Sequence, residues 1–81
     1  MSPAHEKCLA TAFCAGGRLY RWPGAWWTVR KYDPHLDCRA AVPEPHFHDL
    51  IVRGLLKRGL LEVCELMPRG EPCAVRVTMA A

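Results

Sequence analysis

The sequence has no long hydrophobic run. No segment approaches the roughly 18 consecutive apolar residues that a membrane-spanning helix needs. The segment from Met1 to Lys7 lacks a basic stretch followed by an apolar core, which is the pattern of a secretory signal peptide. The sequence therefore predicts a cytoplasmic protein with no membrane partner.

Strong charge of either sign is also lacking. Eleven Lys and Arg residues stand against eight Asp and Glu residues, so the net charge is only +3. This balance excludes a polybasic tail and an acidic disordered chain. With 51% apolar residues, the composition is that of a globular protein, and its length predicts a single domain over residues 1–81.

Cysteine occurs in an odd number and in no CxxC pair. The five cysteines lie at positions 8, 14, 38, 64 and 73, which predicts reduced thiols packed as small apolar side chains rather than a disulfide framework. His35 and Cys38 have a ligand-like spacing, but structural zinc sites usually show two close pairs of ligands. These two residues are therefore only weak candidates for a metal site, and no cofactor is expected.

Local patterns predict two helices and two β-hairpins. Ser2 and Pro3 suit a helix start, Gly16-Gly17 suits its end, and Pro23-Gly24 suits a hairpin turn. The predicted elements are a helix over 3–15, strands over 18–22 and 25–30, a Pro-rich loop over 33–45 with a helical turn near 39–41, a helix over 45–58, and strands over 60–66 and 73–79.

The second predicted helix has the clearest apolar pattern. Its opposite, exposed face holds His46, Asp49, Arg53 and Lys57. Gly54 lies in the middle of this helix, where glycine costs about 1 kcal/mol relative to alanine. This cost predicts that another element approaches closely at that point.

Apolar positions in all the predicted elements together define a candidate core. Its members are Leu9, Phe13, Leu19, Trp27, Val29, Phe47, Leu50, Ile51, Leu55, Leu60, Val63, Val75 and Val77. Trp26 and Trp27 are neighbours in a strand and point to opposite faces, so at least one belongs to the core. Val52 and Leu56 predict an exposed apolar patch suited to a homodimer.

The C-terminal half resembles the end of a winged-helix domain. Residues 55–62 read LLKRGLLE, and residues 75–78 read VRVT. In winged-helix domains a helix ends at a (K/R)RGL step, and a two-stranded wing often closes on V-x-L-T, with Leu where this chain has Val77. The chain as a whole resembles small proteins of phages and prophages of GC-rich bacteria, in which an R-L-x-R-x-P-G-x-W-T hairpin precedes the RGLL helix. Residues 18–28, RLYRWPGAWWT, fit that description. The resemblance implies a small α+β, winged-helix-like domain of order α-β-β-α-β-β.

Basic and aromatic residues are interleaved around the first hairpin. From Lys7 to Lys31 there are five basic residues and no acidic one. Cations neutralise phosphates and exposed aromatic rings stack on bases, so this stretch favours DNA binding and transcription regulation. The candidate binding residues are Arg18, Arg21, Arg30 and Lys31 for phosphates, Trp22 or Trp26 for stacking, and His46, Arg53 and Lys57 on the second helix.

The acidic residues of the predicted wing favour a different function. A wing that grips phosphate should be basic, whereas this one contains Glu62, Glu65 and Glu71 against Arg69 and Arg76. The alternative is a protein-binding inhibitor of a host defence nucleoprotein complex, of anti-CRISPR type, that blocks its partner by direct docking. An enzyme is not expected, because the sequence contains no known catalytic motif.

Overall fold

Five strands and three helices make up the protein in the computed structural model, which describes residues 2–78. The helices are α1 (Pro3–Cys14), α2 (Pro34–Asp37) and α3 (Asp49–Lys57), and the strands are β1 (Arg18–Trp22), β2 (Trp26–Thr28), β3 (His46–His48), β4 (Leu61–Leu66) and β5 (Pro72–Val77). The strands form one antiparallel sheet in the order β3-β2-β1-β5-β4.

The limits of α1 follow from its capping residues. The Ser2 side chain accepts a hydrogen bond from the His5 backbone N–H, and Pro3 occupies the first helical position. At the other end, Gly17 has a φ of +85° and donates its N–H to the Ala12 carbonyl at 2.7 Å. This left-handed conformation favours glycine. The predicted first helix is therefore confirmed to within one residue.

Both predicted hairpins are confirmed, and they join in one sheet. In the first hairpin Arg21 lies opposite Trp27, and in the second hairpin Val63 lies opposite Val75. The two hairpins meet where β1 pairs with β5, with Leu19 opposite Val75. The second strand of the C-terminal hairpin was predicted to reach Met79, which lies outside the described residues; β5 ends at Val77.

The core lies between one face of the sheet and the two longer helices. Every strand contributes one buried side chain to it, and α1 and α3 contribute two each. The buried cluster consists of Cys8, Ala12, Leu19, Trp27, Phe47, Val52, Leu55, Leu61 and Val75. Two helices packed on one antiparallel sheet confirm the α+β class. The helices and the sheet cover each other's apolar faces.

Several core predictions are wrong. Phe13, Leu50 and Val63 are exposed, with 52%, 69% and 40% of their surface accessible. The buried apolar residues that were absent from the predicted core list are Cys8, Ala12, Trp22, Val52, Leu61 and Ala74. Val52 is fully buried, so it cannot belong to the exposed apolar patch that was predicted at Val52 and Leu56 for a homodimer. Leu9, Val29, Ile51, Leu60 and Val77 are only partly buried against the core.

The segment predicted as the start of the second helix is a strand. His46–His48 forms β3 and pairs with β2, with Phe47 opposite Trp27, and α3 begins only at Asp49. His48 caps α3 because its Nδ1 accepts the Leu50 N–H at 3.2 Å. His46 consequently does not share the exposed helix face of Arg53 and Lys57, contrary to the prediction.

The Pro-rich loop also differs from its prediction. It contains the single helical turn α2 at Pro34–Asp37, not at 39–41. The structure therefore has one helix and one strand more than the predicted α-β-β-α-β-β order. The α+β class is observed, whereas the winged-helix assignment stays a prediction.

Gly54 of α3 lies against α1. This confirms the prediction that another element approaches closely at the glycine in the middle of the helix. A Cβ atom built on Gly54 would lie 2.6 Å from Nε2 of His5, so the imidazole ring fills the space beside the glycine.

Gly54→Ala should therefore stabilise the protein by about 1 kcal/mol when His5 is also alanine, and by less when His5 is present. Urea denaturation of the single variants and the double variant measures this coupling. An equal effect of Gly54→Ala in both backgrounds would contradict the packing.

Candidate functional site

The face of the sheet opposite the helices is partly covered by the loop that follows β2. Trp22 lies on this outer face, yet only 2% of its surface is accessible. Its indole Nε1 donates to the Arg30 carbonyl at 2.8 Å. Tyr32 packs edge-on against Trp22 at 5.2 Å between ring centroids, and the Arg30 guanidinium lies 5.4 Å from the same ring.

Two anchors fix this loop. Asp37 is buried and accepts hydrogen bonds from Arg30 Nη2 at 2.8 Å and from the Asp33 N–H at 3.0 Å. The fully buried Thr28 hydroxyl lies 2.9 Å from the Pro45 carbonyl. These contacts hold the loop against the sheet and prevent Trp22 from stacking on a base.

A cleft opens between the two hairpins. The pairing of β1 with β5 ends at Tyr20 and Ala74, after which β1 continues with β2 and β5 lies with β4. The space between the diverging strands has a volume of about 390 Å³. We call it the hairpin cleft, and its aromatic and apolar walls are formed mainly by Tyr20, Trp22, Tyr32 and Met67.

Charges of both signs border the hairpin cleft. Arg21 and Glu71 lie on its two sides and form an ion pair, with Nη1 to Oε2 at 3.4 Å. Lys31 and Glu65 also border the cleft, and neither forms an ion pair with another of the residues 2–78. The cleft thus combines an aromatic wall with one available cation and one available carboxylate.

A smaller cleft of about 280 Å³ lies on the other side of Arg21, next to α3. Asp49 is held there by Trp27, whose indole Nε1 donates to its Oδ1 at 2.9 Å, and by an ion pair with Arg53. All three charged residues that line this cleft, Arg21, Asp49 and Arg53, are already paired, so it offers fewer available charges to a ligand than the hairpin cleft does.

The predicted binding residues do not all line one cleft: Arg21, Trp22 and Lys31 border the hairpin cleft, and Arg53 borders the smaller one. Three of the predicted cations are engaged in ion pairs: Arg21 with Glu71, Arg30 with Asp37, and Arg53 with Asp49. The other three predicted cations, Arg18, Lys31 and Lys57, are exposed and form no ion pair with another described residue. They lie at the start of β1, after β2 and at the end of α3, and only Lys31 borders the hairpin cleft.

Trp26 is flanked by histidines rather than standing free. The rings of His46 and His48 meet it edge-on, with centroids at 4.9 and 5.3 Å. Trp26 is half-buried while its neighbour Trp27 is in the core, as predicted from the alternation of strand side chains. Of the two alternatives predicted for base stacking, Trp22 is buried and Trp26 is accessible in part.

The cysteines form no disulfide within residues 2–78, where all five are free. Burial raises the pKa of the Cys8 thiol to about 12, so Cys8 stays protonated as part of the core. In the same part of the chain, no three His, Cys, Asp or Glu side chains lie close enough to hold a metal ion, and His35 and Cys38 are both exposed.

The helices between Ser2 and Thr78 are too short or too polar to cross a membrane. Comparison with protein-family models, curated proteins and solved structures finds no match to the chain. The site therefore has to be interpreted from its own geometry.

Most residues that line the hairpin cleft were not predicted as binding residues, among them Tyr20, Tyr32, Glu65 and Met67. The alternation of β1 places Tyr20 and Trp22 on one face, and this signal was available in the sequence. The position of Tyr32 follows from the buried Asp37 that anchors the loop. No local pattern indicates this anchor.

Proposed function

We propose that this is a non-enzymatic protein-binding module and that the hairpin cleft is its binding site. The observation that supports this proposal is an aromatic cleft of about 390 Å³ bordered by both charge signs. Tyr, Trp and Met are enriched at protein–protein interfaces, where a central apolar contact is surrounded by polar groups. The resemblance to small phage proteins agrees with the narrower proposal that the partner belongs to a host defence complex.

The charges around the cleft favour a protein over a nucleic acid. A polyanion is held by cations that release condensed counterions. At the hairpin cleft, Arg21 is paired with Glu71 and the remaining cation, Lys31, is balanced by Glu65, so phosphates would meet no net positive charge. The burial of Trp22 also removes one of the two tryptophan rings predicted to stack on bases.

A peptide-display selection against the whole protein tests the proposal. Selected peptides should lose about tenfold in affinity on Met67→Ala, because burying such a side chain contributes about 1.5–3 kcal/mol. Leu66→Ala is the matched control, since Leu66 is also exposed at the end of β4 but does not line the cleft. Failure to select any peptide, or equal losses for both variants, would overturn the assignment.

DNA binding and transcription regulation is the second candidate function. Its support is the acid-free stretch from Lys7 to Lys31, in which Arg18 and Lys31 are exposed without an ion pair among the described residues. Titration with duplex DNA at two salt concentrations tests this candidate. Binding that weakens steeply with salt, and that weakens further in Arg18→Ala plus Lys31→Ala, supports it. Absence of binding at low salt removes it.

A further inference from the structure

The two available charges of the hairpin cleft lie on opposite sides of it. Lys31 precedes Tyr32 in the loop, and the contact of Tyr32 with Trp22 places this part of the loop over β1. Glu65 belongs to β4, which is separated from β1 by β5. Neighbouring strands are about 4.8 Å apart, so the aromatic wall lies between a cationic border and an anionic one.

The volume of the cleft limits what enters it. About 390 Å³ is near the lower end of ligand pockets, which measure about 300–1,000 Å³. This space admits a few side chains of an extended segment but not a folded domain. The half-buried Tyr20 and Tyr32 offer ring surface to an apolar or aromatic side chain, with the buried Trp22 behind them, and the half-exposed Met67 adapts to its shape.

We infer that the hairpin cleft binds an extended segment of a partner protein in which one bulky apolar residue lies between a basic and an acidic residue. This inference rests on the protein-binding function proposed above. The apolar residue packs on the aromatic wall, the basic residue faces Glu65, and the acidic residue faces Lys31. The aliphatic stem of the basic residue packs along Met67 while its charged group stays in water.

The Arg21–Glu71 ion pair leaves Lys31 and Glu65 to select the charges of the bound segment. Because each of these side chains already has an opposite charge at 3.4 Å, neither adds a net charge to the cleft. The balance of the remaining charges is then set by Lys31 and Glu65 alone. A segment with two acidic residues meets Glu65 unfavourably, and a segment with two basic residues meets Lys31 unfavourably.

Capped tripeptides test the inference on the isotope-labelled whole protein. The probes are Lys-Trp-Asp, Asp-Trp-Lys, Lys-Ala-Asp, Asp-Trp-Asp and Lys-Trp-Lys, each acetylated and amidated, and binding is read from the backbone amide signals of Tyr20, Tyr32 and Cys73. One of the two mixed-charge tryptophan peptides should bind about two- to fivefold more tightly than either like-charged peptide. The alanine peptide should be weaker than both.

A charge-reversal variant provides the second measurement. Glu65→Lys makes both borders cationic, so the preference should change to Asp-Trp-Asp. Glu62→Lys is the matched control, because Glu62 is on the same strand but does not border the cleft and pairs with Arg76. Binding of all the tryptophan peptides with equal affinity, or an unchanged preference in Glu65→Lys, overturns this inference and leaves the protein-binding function intact. Absence of shifts in the cleft amides with every peptide at millimolar concentration overturns both.

Discussion

Trp27→Ala should lower the free energy of unfolding by about 3–5 kcal/mol, the range measured when a buried tryptophan is removed. The side chain is 2% exposed and packs in the main core between the sheet and the helices. Its indole N–H is also the donor to Asp49 Oδ1 at 2.9 Å. A domain of this size is stable by only several kcal/mol, so the variant should be largely unfolded at room temperature.

Trp26→Ala is the matched control. It makes the same substitution at a less buried position, so it separates the effect of burial from the effect of removing a tryptophan. Trp26 is the preceding residue of the same strand, but it is half-buried against His46 and His48. We expect it to cost less than half as much as Trp27→Ala in urea denaturation followed by circular dichroism. Trp27→Phe retains most of the ring and keeps the comparison measurable if the alanine variant does not fold. Equal losses for Trp26→Ala and Trp27→Ala would contradict the assignment of faces.

Asp37→Ala should lower the free energy of unfolding by about 2–3 kcal/mol and release the loop from the outer face of the sheet. Hydrogen bonds to a charged group contribute about 1.5–3 kcal/mol, and Asp37 accepts two, from Arg30 and from the Asp33 N–H. The Arg30 guanidinium is half-exposed, so its ion pair is screened and adds little beyond these hydrogen bonds.

The indole proton of Trp22 reports the release of the loop. Its acceptor is the Arg30 carbonyl, so hydrogen exchange at Trp22 Nε1 should become faster in Asp37→Ala, while exchange at Trp27 Nε1 changes little. Asp37→Asn retains an acceptor oxygen and should have a smaller effect on both stability and exchange. Unchanged exchange at Trp22 in Asp37→Ala would show that the loop is held by other contacts.

Elements with local signals were predictable from the sequence. Ser2, Pro3 and Gly17 mark the ends of α1, and the Pro23-Gly24 turn between aromatic runs marks the first hairpin. These residues act through backbone conformations and caps that involve only nearby groups. The same locality explains why Trp27 was assigned correctly to the core.

Elements that depend on distant pairing were not predictable. His46, Phe47 and His48 precede an apolar helical pattern and look like its first turn, but pairing with β2 makes them a strand. In the helix that begins at Asp49, Val52 lies in the core and Leu50 is exposed. The candidate site has the same dependence, because the hairpin cleft exists where the pairing between Tyr20 and Ala74 ends. Tertiary context overrides local preference at both places.

The position of β5 bears on how the chain folds during synthesis. β5 is synthesised after the other four strands, yet it lies between β1 and β4. The residue pairs that join it to β1 are far apart in sequence, since Arg18 pairs with Arg76. Such contacts require a large loop to close before they add stability, which slows folding. The first hairpin is therefore synthesised before β5, the strand that pairs with β1 in the finished sheet. Until β5 is made, the unpaired backbone N–H and C=O groups along this edge of β1 can pair with other chains.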